Sequence, residues 1–342
     1  MLKIAINGFG RIGRAVFRTI QENYQDQVEV VAINTSGSMT VEGWAHFLKY
    51  DTVYGRFSKN VETLPPVKSA EIGRIKIGDK VWPILAEREP VKIPWSEYGV
   101  TTVLECAGVF CDHRANDHCR GSVKKVILSA PPKKDDIPVY LMGVNAVDYQ
   151  GEKLISNGSC TTNCVAPIVK VMDEEFGFEE SMMITVHAYT ASQRVVDGSH
   201  KDWRRGRAAA QNLVPTGTGA ARSVIAAYPA VKGRFAASAI RAPIICGSYA
   251  TFIFKLNQTV TVDAVNQVFE NRARGDMKNI IEISYEPLVS TDIIGNPSSA
   301  VLDSIFTKVI DEDLVYLSAW YDNEWAYACR LVELAVKINL QK

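Results

Sequence analysis

The chain has 342 residues, enough for two domains rather than one. Hydrophobic residues make up 47% of it, ample for packed cores, which excludes a disordered chain. Lys plus Arg and Asp plus Glu balance at 38 each, so no excess charge invites nucleic acid or an anionic membrane.

No apolar run approaches the ~18 residues of a membrane helix. The opening Met1–Ala5 leads straight into a strand and a glycine loop, which reads as no signal peptide. Seven cysteines, odd in number and without a C-x-x-C pair, point to a reducing cytosol. They argue against a disulfide framework and against a metal site. There is no internal repeat and no low-complexity linker.

The chain opens with Lys3–Asn7, a buried parallel strand, followed at once by Gly8-Phe9-Gly10-Arg11-Ile12-Gly13. A helical pattern (Ile12, Val16, Ile20) continues to about Asn23. G-x-G-x-x-G between strand and helix predicts dinucleotide binding. Gly8 permits the tight turn, Gly10 admits a pyrophosphate to the backbone, and Gly13 lets helix and strand pack closely. A second strand, Val28–Ile33, ends at Asn34-Thr35-Ser36. NAD-binding chains usually place Asp or Glu here, on the ribose 2′-hydroxyl. Thr35 supplies no carboxylate to repel a 2′-phosphate, which opens the site to NADP.

Ile75–Ile77 and Val81–Ile84 flank the hairpin signal Gly78-Asp79. Val100–Glu105 and Val126–Ser129 read as further buried strands. Leu154–Ser156 is a short strand, and the run Ser156-Asn-Gly-Ser-Cys-Thr-Thr-Asn-Cys164 then puts a thiol at a helix start. Unpaired amides and the positive end of a helix favour a thiolate and an anion beside it. These, with a nearby imidazole, are expected to lower the Cys160 pKa by about a unit or more. Pro167 lies inside the helix pattern and predicts a kink or an irregular first turn. Cys164, one turn deeper, reads as core.

Met182–His187 is a strand ending in His187, the candidate base for Cys160. A polar segment without clear periodicity runs from Tyr189 to Asn212 and carries the cluster Arg204-Arg205-Gly206-Arg207. Such arginines suit phosphate, though a solvated patch is their ordinary role. Pro215–Ala221 looks like a loop entering a helix, and Arg241 ends a strand. Ser248–Phe254 alternates as a half-covered strand, and Thr261 caps a helix. Val315–Tyr321 is a strand, and a last helix runs to about Ile338. The expected fold class is α/β: a Rossmann dinucleotide-binding domain at 1–159, completed by the helix within 323–342, and an α+β catalytic domain with a mixed or antiparallel sheet at 160–322.

Four strings now point to one family: Ile6–Arg14, Ser159-Cys160-Thr161-Thr162-Asn163-Cys164, Arg207–Asn212 and Trp320-Tyr321-Asp322-Asn323-Glu324-Trp325. Together they closely resemble phosphorylating glyceraldehyde-3-phosphate dehydrogenases, in one order from Lys3 to about Leu334. The resemblance implies Cys160 as nucleophile and His187 as its activating base. It implies that Thr190 and Arg241 hold the substrate phosphate. Ser159, Thr161, Thr218 and Gly219 would hold inorganic phosphate, with Arg205 serving either site. Asn323 would bind the nicotinamide carboxamide, and Arg11, Ile12 and Ser129 would line the groove with Asn7, Gly8, Gly10, Gly13 and Asn34. The implied reaction interconverts glyceraldehyde 3-phosphate, phosphate and NAD(P)⁺ with 1,3-bisphosphoglycerate and NAD(P)H through a cysteine thioester, in a cytosolic homotetramer.

The chain departs from that pattern at Thr35 and at Gly198-Ser199, where NAD-specific members carry Asp and Leu-Pro. Thr35, Ser36, Ser199 and Arg88 are thus expected to receive a 2′-phosphate, with NADP accepted at least as readily as NAD. Ile244–Ser248 and Thr251 depart in a strand that serves subunit contact in the family. Two other readings stand beside this one. They are an erythrose-4-phosphate dehydrogenase, which does not use inorganic phosphate, and a non-catalytic thiol sensor on the same scaffold. Tyr189-Thr190 after His187 argue against the former.

Overall fold

The computed structural model describes residues 1–341. The chain folds as two compact units. One comprises Met1–Tyr140, Ala146–Gly158 and the chain from Ala328; the other comprises Leu141–Asn145 and Ser159–Tyr327.

The first unit is built on a sheet whose strands lie in the order 154–156, 125–128, 102–105, 2–7, 28–34, 80–85, 71–77 and 62–64. The first six are parallel, 71–77 runs antiparallel to them, and 62–64 pairs antiparallel with 71–77. Ile4, Ala5 and Ile6 are fully buried, as a parallel strand covered on both faces requires. The chain leaves Leu2–Asn7 toward Val28–Asn34 on one side, while Thr102–Glu105 pairs on the other. Strand order thus reverses at Leu2–Asn7, and a crevice opens beyond its carboxyl end, where such sheets take ligands.

Two glycines shape that crevice. Gly8 has φ +96°, and a Cβ there would lie 2.5 Å from the Ala107 amide nitrogen. A Cβ on Gly13 would lie 2.0 Å from the Gly8 carbonyl oxygen, so the helix Arg11–Thr19 sits directly on the turn. The helix ends in a single π-type turn, Ile20–Tyr24, rather than running on as an α-helix.

The second unit is a mixed sheet ordered 214–216, 235–242, 178–188, 248–256, 314–321, 300–303 and 281–284, with 308–310 paired beside 314–321. Strands 178–188 and 235–242 run parallel, as do 281–284 and 300–303; the other pairs are antiparallel. Ser248–Leu256 alternates, with Ala250, Phe252 and Phe254 fully buried and Ile253 47% exposed, so one face is covered. The helix Cys160–Glu175 packs on that covered face. It runs unbroken through Pro167, and the expected irregular start is absent. Val165, Ala166, Ile168 and Val169 around the proline are fully buried, and their packing outweighs one missing amide. Among the described residues no helix is long and apolar enough to cross a membrane.

Gly13→Ala is expected to destabilise the protein by about 1–3 kcal/mol, because backbone meets the new Cβ and neither side yields cheaply. A shifted denaturant midpoint at unchanged slope is the readout. An unchanged midpoint contradicts the close helix–turn contact.

Candidate active site

In the first unit, a groove of about 540 Å³ opens over the carboxyl ends of the central strands. Asn7, Gly8, Gly10, Asn34, Thr35, Ser36 and Arg88 line it. The helix Arg11–Thr19 starts at Gly10 with no side-chain cap, and a Cβ on Gly10 would meet nothing within 4 Å. Its first amides are therefore open to an anion, as a pyrophosphate requires. On this observation the residues fit a dinucleotide. Ile12 and Gly13 belong to that helix and not to the groove wall. The Arg11 guanidinium is spent on Asp51 at 2.5 Å. Ser129, half-buried, donates its amide to Glu105 O at 3.0 Å and is not among the residues that line the groove.

Beneath the groove lies a buried polar chain that sequence reasoning did not find. Asn34 Nδ2 donates to Asn7 Oδ1 at 2.7 Å and to Glu87 O at 2.8 Å, while Glu87 N donates to Asn34 Oδ1 at 2.9 Å. Asn7 Nδ2 donates to Glu105, which also accepts Ala107 N at 2.7 Å. Trp95 Nε1 donates to His118 Nδ1 at 3.0 Å. Indole N–H only donates, so His118 carries its proton on Nε2 and gives it to Glu105 at 3.0 Å. The partners are far apart in sequence, and only the fold unites them.

The expected 2′-phosphate contacts need one correction. Thr35 is only 2% exposed, and its hydroxyl donates to Leu85 O at 2.9 Å. It forms groove wall rather than offering a free hydroxyl. Ser36 pairs with Ser38 at 2.8 Å, and Arg88 Nε donates to Ser36 O at 3.2 Å. Ser199 lies in the second unit, where its carbonyl accepts Arg194 Nε.

In the second unit the thiol centre is assembled. Ser159 caps the helix Cys160–Glu175: its hydroxyl accepts Thr162 N at 3.1 Å, and Thr162 Oγ1 accepts Ser159 N at 3.2 Å. This reciprocal cap fixes Cys160 as the first helical residue. Cys160 Sγ lies 3.3 Å from His187 Nε2, across 27 positions of sequence. Burial pushes the Cys160 thiol up; the Arg241 charge, the Thr161 hydroxyl and the helix-start amides pull it down. The net direction is up, opposite to the depression expected from the helix start, because desolvation of a thiolate here exceeds those attractions.

His187 is 4% exposed. Burial first, and the Arg241 charge second, hold its pKa down to about 3. Arg241 occupies the paired position on the neighbouring strand. Its Nη1 lies 2.6 Å from His187 Nδ1 and donates to Ala188 O at 3.0 Å, while its Nε is buried without a hydrogen-bond partner. Arg205 is near enough for its charge to depress His187 as well. It is otherwise held by Thr216 Oγ1 at 2.8 Å and by Gly217 O.

Thr161 Oγ1 meets Tyr321 OH at 3.1 Å, and that phenol meets Thr185 Oγ1 at 2.8 Å. Burial drives the Tyr321 phenol far up, so it stays protonated. Tyr321 and Thr185 support the centre; Tyr321 lies in one of the four family strings, but nothing local in the sequence marks the role of either. Ser248 Oγ accepts Ala188 N at 3.1 Å and donates to Asn323 Oδ1 at 2.9 Å. Thr190 pairs with Ser192 at 3.0 Å. Thr218 Oγ1 accepts Ala220 N at 3.1 Å, and Gly219 precedes the helix Ala220–Ala227 without a side-chain cap. The contacts thus join Cys160, His187, Arg241 and Thr161 into one cluster. Thr190, Thr218 and Gly219 keep local partners.

Two family models match the chain. The NAD binding domain of glyceraldehyde 3-phosphate dehydrogenase matches residues 2–113, and its C-terminal domain matches residues 159–323. The chain is 45% identical to glyceraldehyde-3-phosphate dehydrogenase 2 of Bacillus subtilis over 336 residues, covering 97% of this chain and 95% of that one. It is 44% identical to the Streptomyces coelicolor enzyme over 344 residues, covering 99% of each. Identity to the chloroplastic glyceraldehyde-3-phosphate dehydrogenase GAPB of Arabidopsis thaliana is 43% over 338 residues, 98% of this chain and 74% of that one.

The depressed His187 makes stability pH-dependent. Unfolded, the imidazole takes a proton near 6.5; folded, it holds out to about 3. The unfolded state therefore binds more protons in this window, so the contribution is intact above pH 6.5 and is lost as pH falls. Wild type is expected to lose up to about 1.4 kcal/mol per pH unit more than His187→Gln between pH 6 and 4. Equal slopes in urea unfolding contradict a buried neutral imidazole.

Proposed function

Because the chain belongs to the glyceraldehyde-3-phosphate dehydrogenase family, we propose that it oxidises glyceraldehyde 3-phosphate with inorganic phosphate to 1,3-bisphosphoglycerate through a thioester on Cys160. The observation that carries this reading is the 3.3 Å contact between Cys160 Sγ and His187 Nε2 at a capped helix start. A thiol this desolvated is mostly protonated at rest, so it needs a base within reach, and His187 is that base.

Cys160 gives its proton to His187 Nε2 as the sulfur adds to the aldehyde carbon. The oxyanion so formed takes hydrogen bonds from the Cys160 amide and from the protonated imidazole. When bound, the nicotinamide supplies the hydride acceptor. The thioester keeps the carbonyl reactive, and inorganic phosphate displaces the sulfur to give the acyl phosphate. Arg241, with Thr190 and Arg205, provides the substrate phosphate with charge and hydroxyls; Ser159, Thr161, Thr218 and Gly219 serve the inorganic ion. The orphan Arg241 Nε is a donor awaiting such an anion.

The groove in the first unit would hold the cofactor, with Asn323 on the nicotinamide carboxamide. No carboxylate follows Asn34, and Arg88 and Ser36 stand at that end of the groove. We therefore take NADP to be accepted at least as readily as NAD, with Arg88 and Ser36 rather than Thr35 meeting its 2′-phosphate. The family resemblance leads us to propose a homotetramer, and the exposed apolar residues Met182, Ile253, Trp203 and Leu213 offer surface for self-association.

Cys160→Ser is expected to lower oxidation on the order of 10³-fold or more, with cofactor affinity by calorimetry unchanged. His187→Gln is expected to lower kcat about 10²–10⁴-fold. Persistent turnover in Cys160→Ser removes the nucleophile from the scheme, and a rate indifferent to inorganic phosphate removes the phosphorylating step. For the cofactor, kcat/KM with NADP should equal or exceed that with NAD. A preference of about a hundredfold for NAD, or ~2.7 kcal/mol, sinks the NADP reading.

A further inference from the structure

The buried polar chain beneath the groove of the first unit is ordered by the sheet itself. Asn7 pairs in register with Asn34 on one neighbouring parallel strand and with Glu105 on the other. The three side chains therefore stand in a row at the carboxyl ends of the strands, where the groove opens. Asn7 and Asn34 line the groove. Glu105 and His118 do not, and they are 2% and 0% exposed.

The row has one polarity. At one end the Glu87 backbone sets the Asn34 amide, because its N–H can meet only Oδ1 and its carbonyl only Nδ2. Asn34 Nδ2 then takes Asn7 Oδ1 as acceptor, which turns Asn7 Nδ2 toward Glu105 Oε2. The Trp95 indole occupies His118 Nδ1, so His118 Nε2–H reaches the same Oε2 at 3.0 Å. Ala107 N donates to Oε1 at 2.7 Å. Three donors thus converge on two oxygens. A carboxylate answers all three, whereas a carboxamide would set N–H against N–H at one of its ends. Through this group the chain ties together Asn7, Asn34, Glu87 and Ala107, which all line the groove and follow or end four different strands.

We propose that Glu105, braced by His118, is a positioning residue for dinucleotide binding: its carboxylate holds the four groove-forming segments in one arrangement without lining the groove. This rests on the dinucleotide reading of that groove. None of these links involves Cys160 or His187, so the device acts on cofactor affinity rather than on turnover of the bound complex.

The test compares Glu105→Gln, His118→Phe and His118→Gln with wild type, using calorimetry with NAD and with NADP alongside steady-state kinetics. Glu105→Gln should raise Kd and cofactor KM about tenfold or more. Its kcat at saturating cofactor should stay within about threefold of wild type. His118→Phe should weaken binding in the same direction. His118→Gln should restore it, since one amide can accept from Trp95 and donate to Glu105. The two His118 variants decide the matter even where Glu105→Gln fails to fold. An unchanged Kd in folded variants, whatever their stability, overturns the proposal, as does a kcat that falls as far as the affinity. Equal weakening in both His118 variants overturns the part given to His118. Wild type binding neither NAD nor NADP sinks the groove reading itself.

Discussion

The second unit depends on a compromise at one contact: a half-buried sulfur set against a buried imidazole. Both groups would be easier to ionise in water. Placed together away from it, both are held neutral, and the proton between them becomes sensitive to whatever charge stands nearby. Arg241 is that charge, and it acts on both at once, easing ionisation of the thiol and opposing that of the ring. Cofactor groove and thiol centre thus follow opposite logics. The groove presents open backbone amides to an anion, while the thiol centre keeps its charges latent.

Local geometry explains how much was readable before any coordinates. The glycine turn declared itself because its constraints span six residues: a strand end, a positive φ at Gly8 and a helix that must touch the turn at Gly13. The thiol's position at a helix start was equally local, since Ser159 and Thr162 complete their cap within three residues. His187 was found by a chemical argument, a base sought for a thiol, and the parallel strands then brought Arg241 beside it.

What escaped were the contacts with distant partners that no chemical argument demanded. Thr35 looked like a free hydroxyl because Leu85, fifty positions away, is silent about its carbonyl. Tyr321 reaches Thr161 across 160 positions, and Asn7 and His118, 111 positions apart, meet on the Glu105 carboxylate only because the fold brings them there. The Cys160 pKa was misjudged for a related reason. Helix-start attraction is legible in sequence, whereas desolvation depends on how completely the surrounding chain closes over the sulfur.

Ser248 carries a consequence of its own. Its single hydroxyl hydrogen is assigned to Asn323 Oδ1, because its oxygen already receives the Ala188 amide. The carboxamide of Asn323 is thereby polarised in one sense, with its NH₂ end left over for a visitor. In the role proposed for Asn323, a carbonyl would find a donor at that spot, whereas a lone N–H would meet hydrogen against hydrogen. The orientation of the Asn323 amide is thus set from Ala188, on the strand that carries the imidazole, through a serine on the strand beside it.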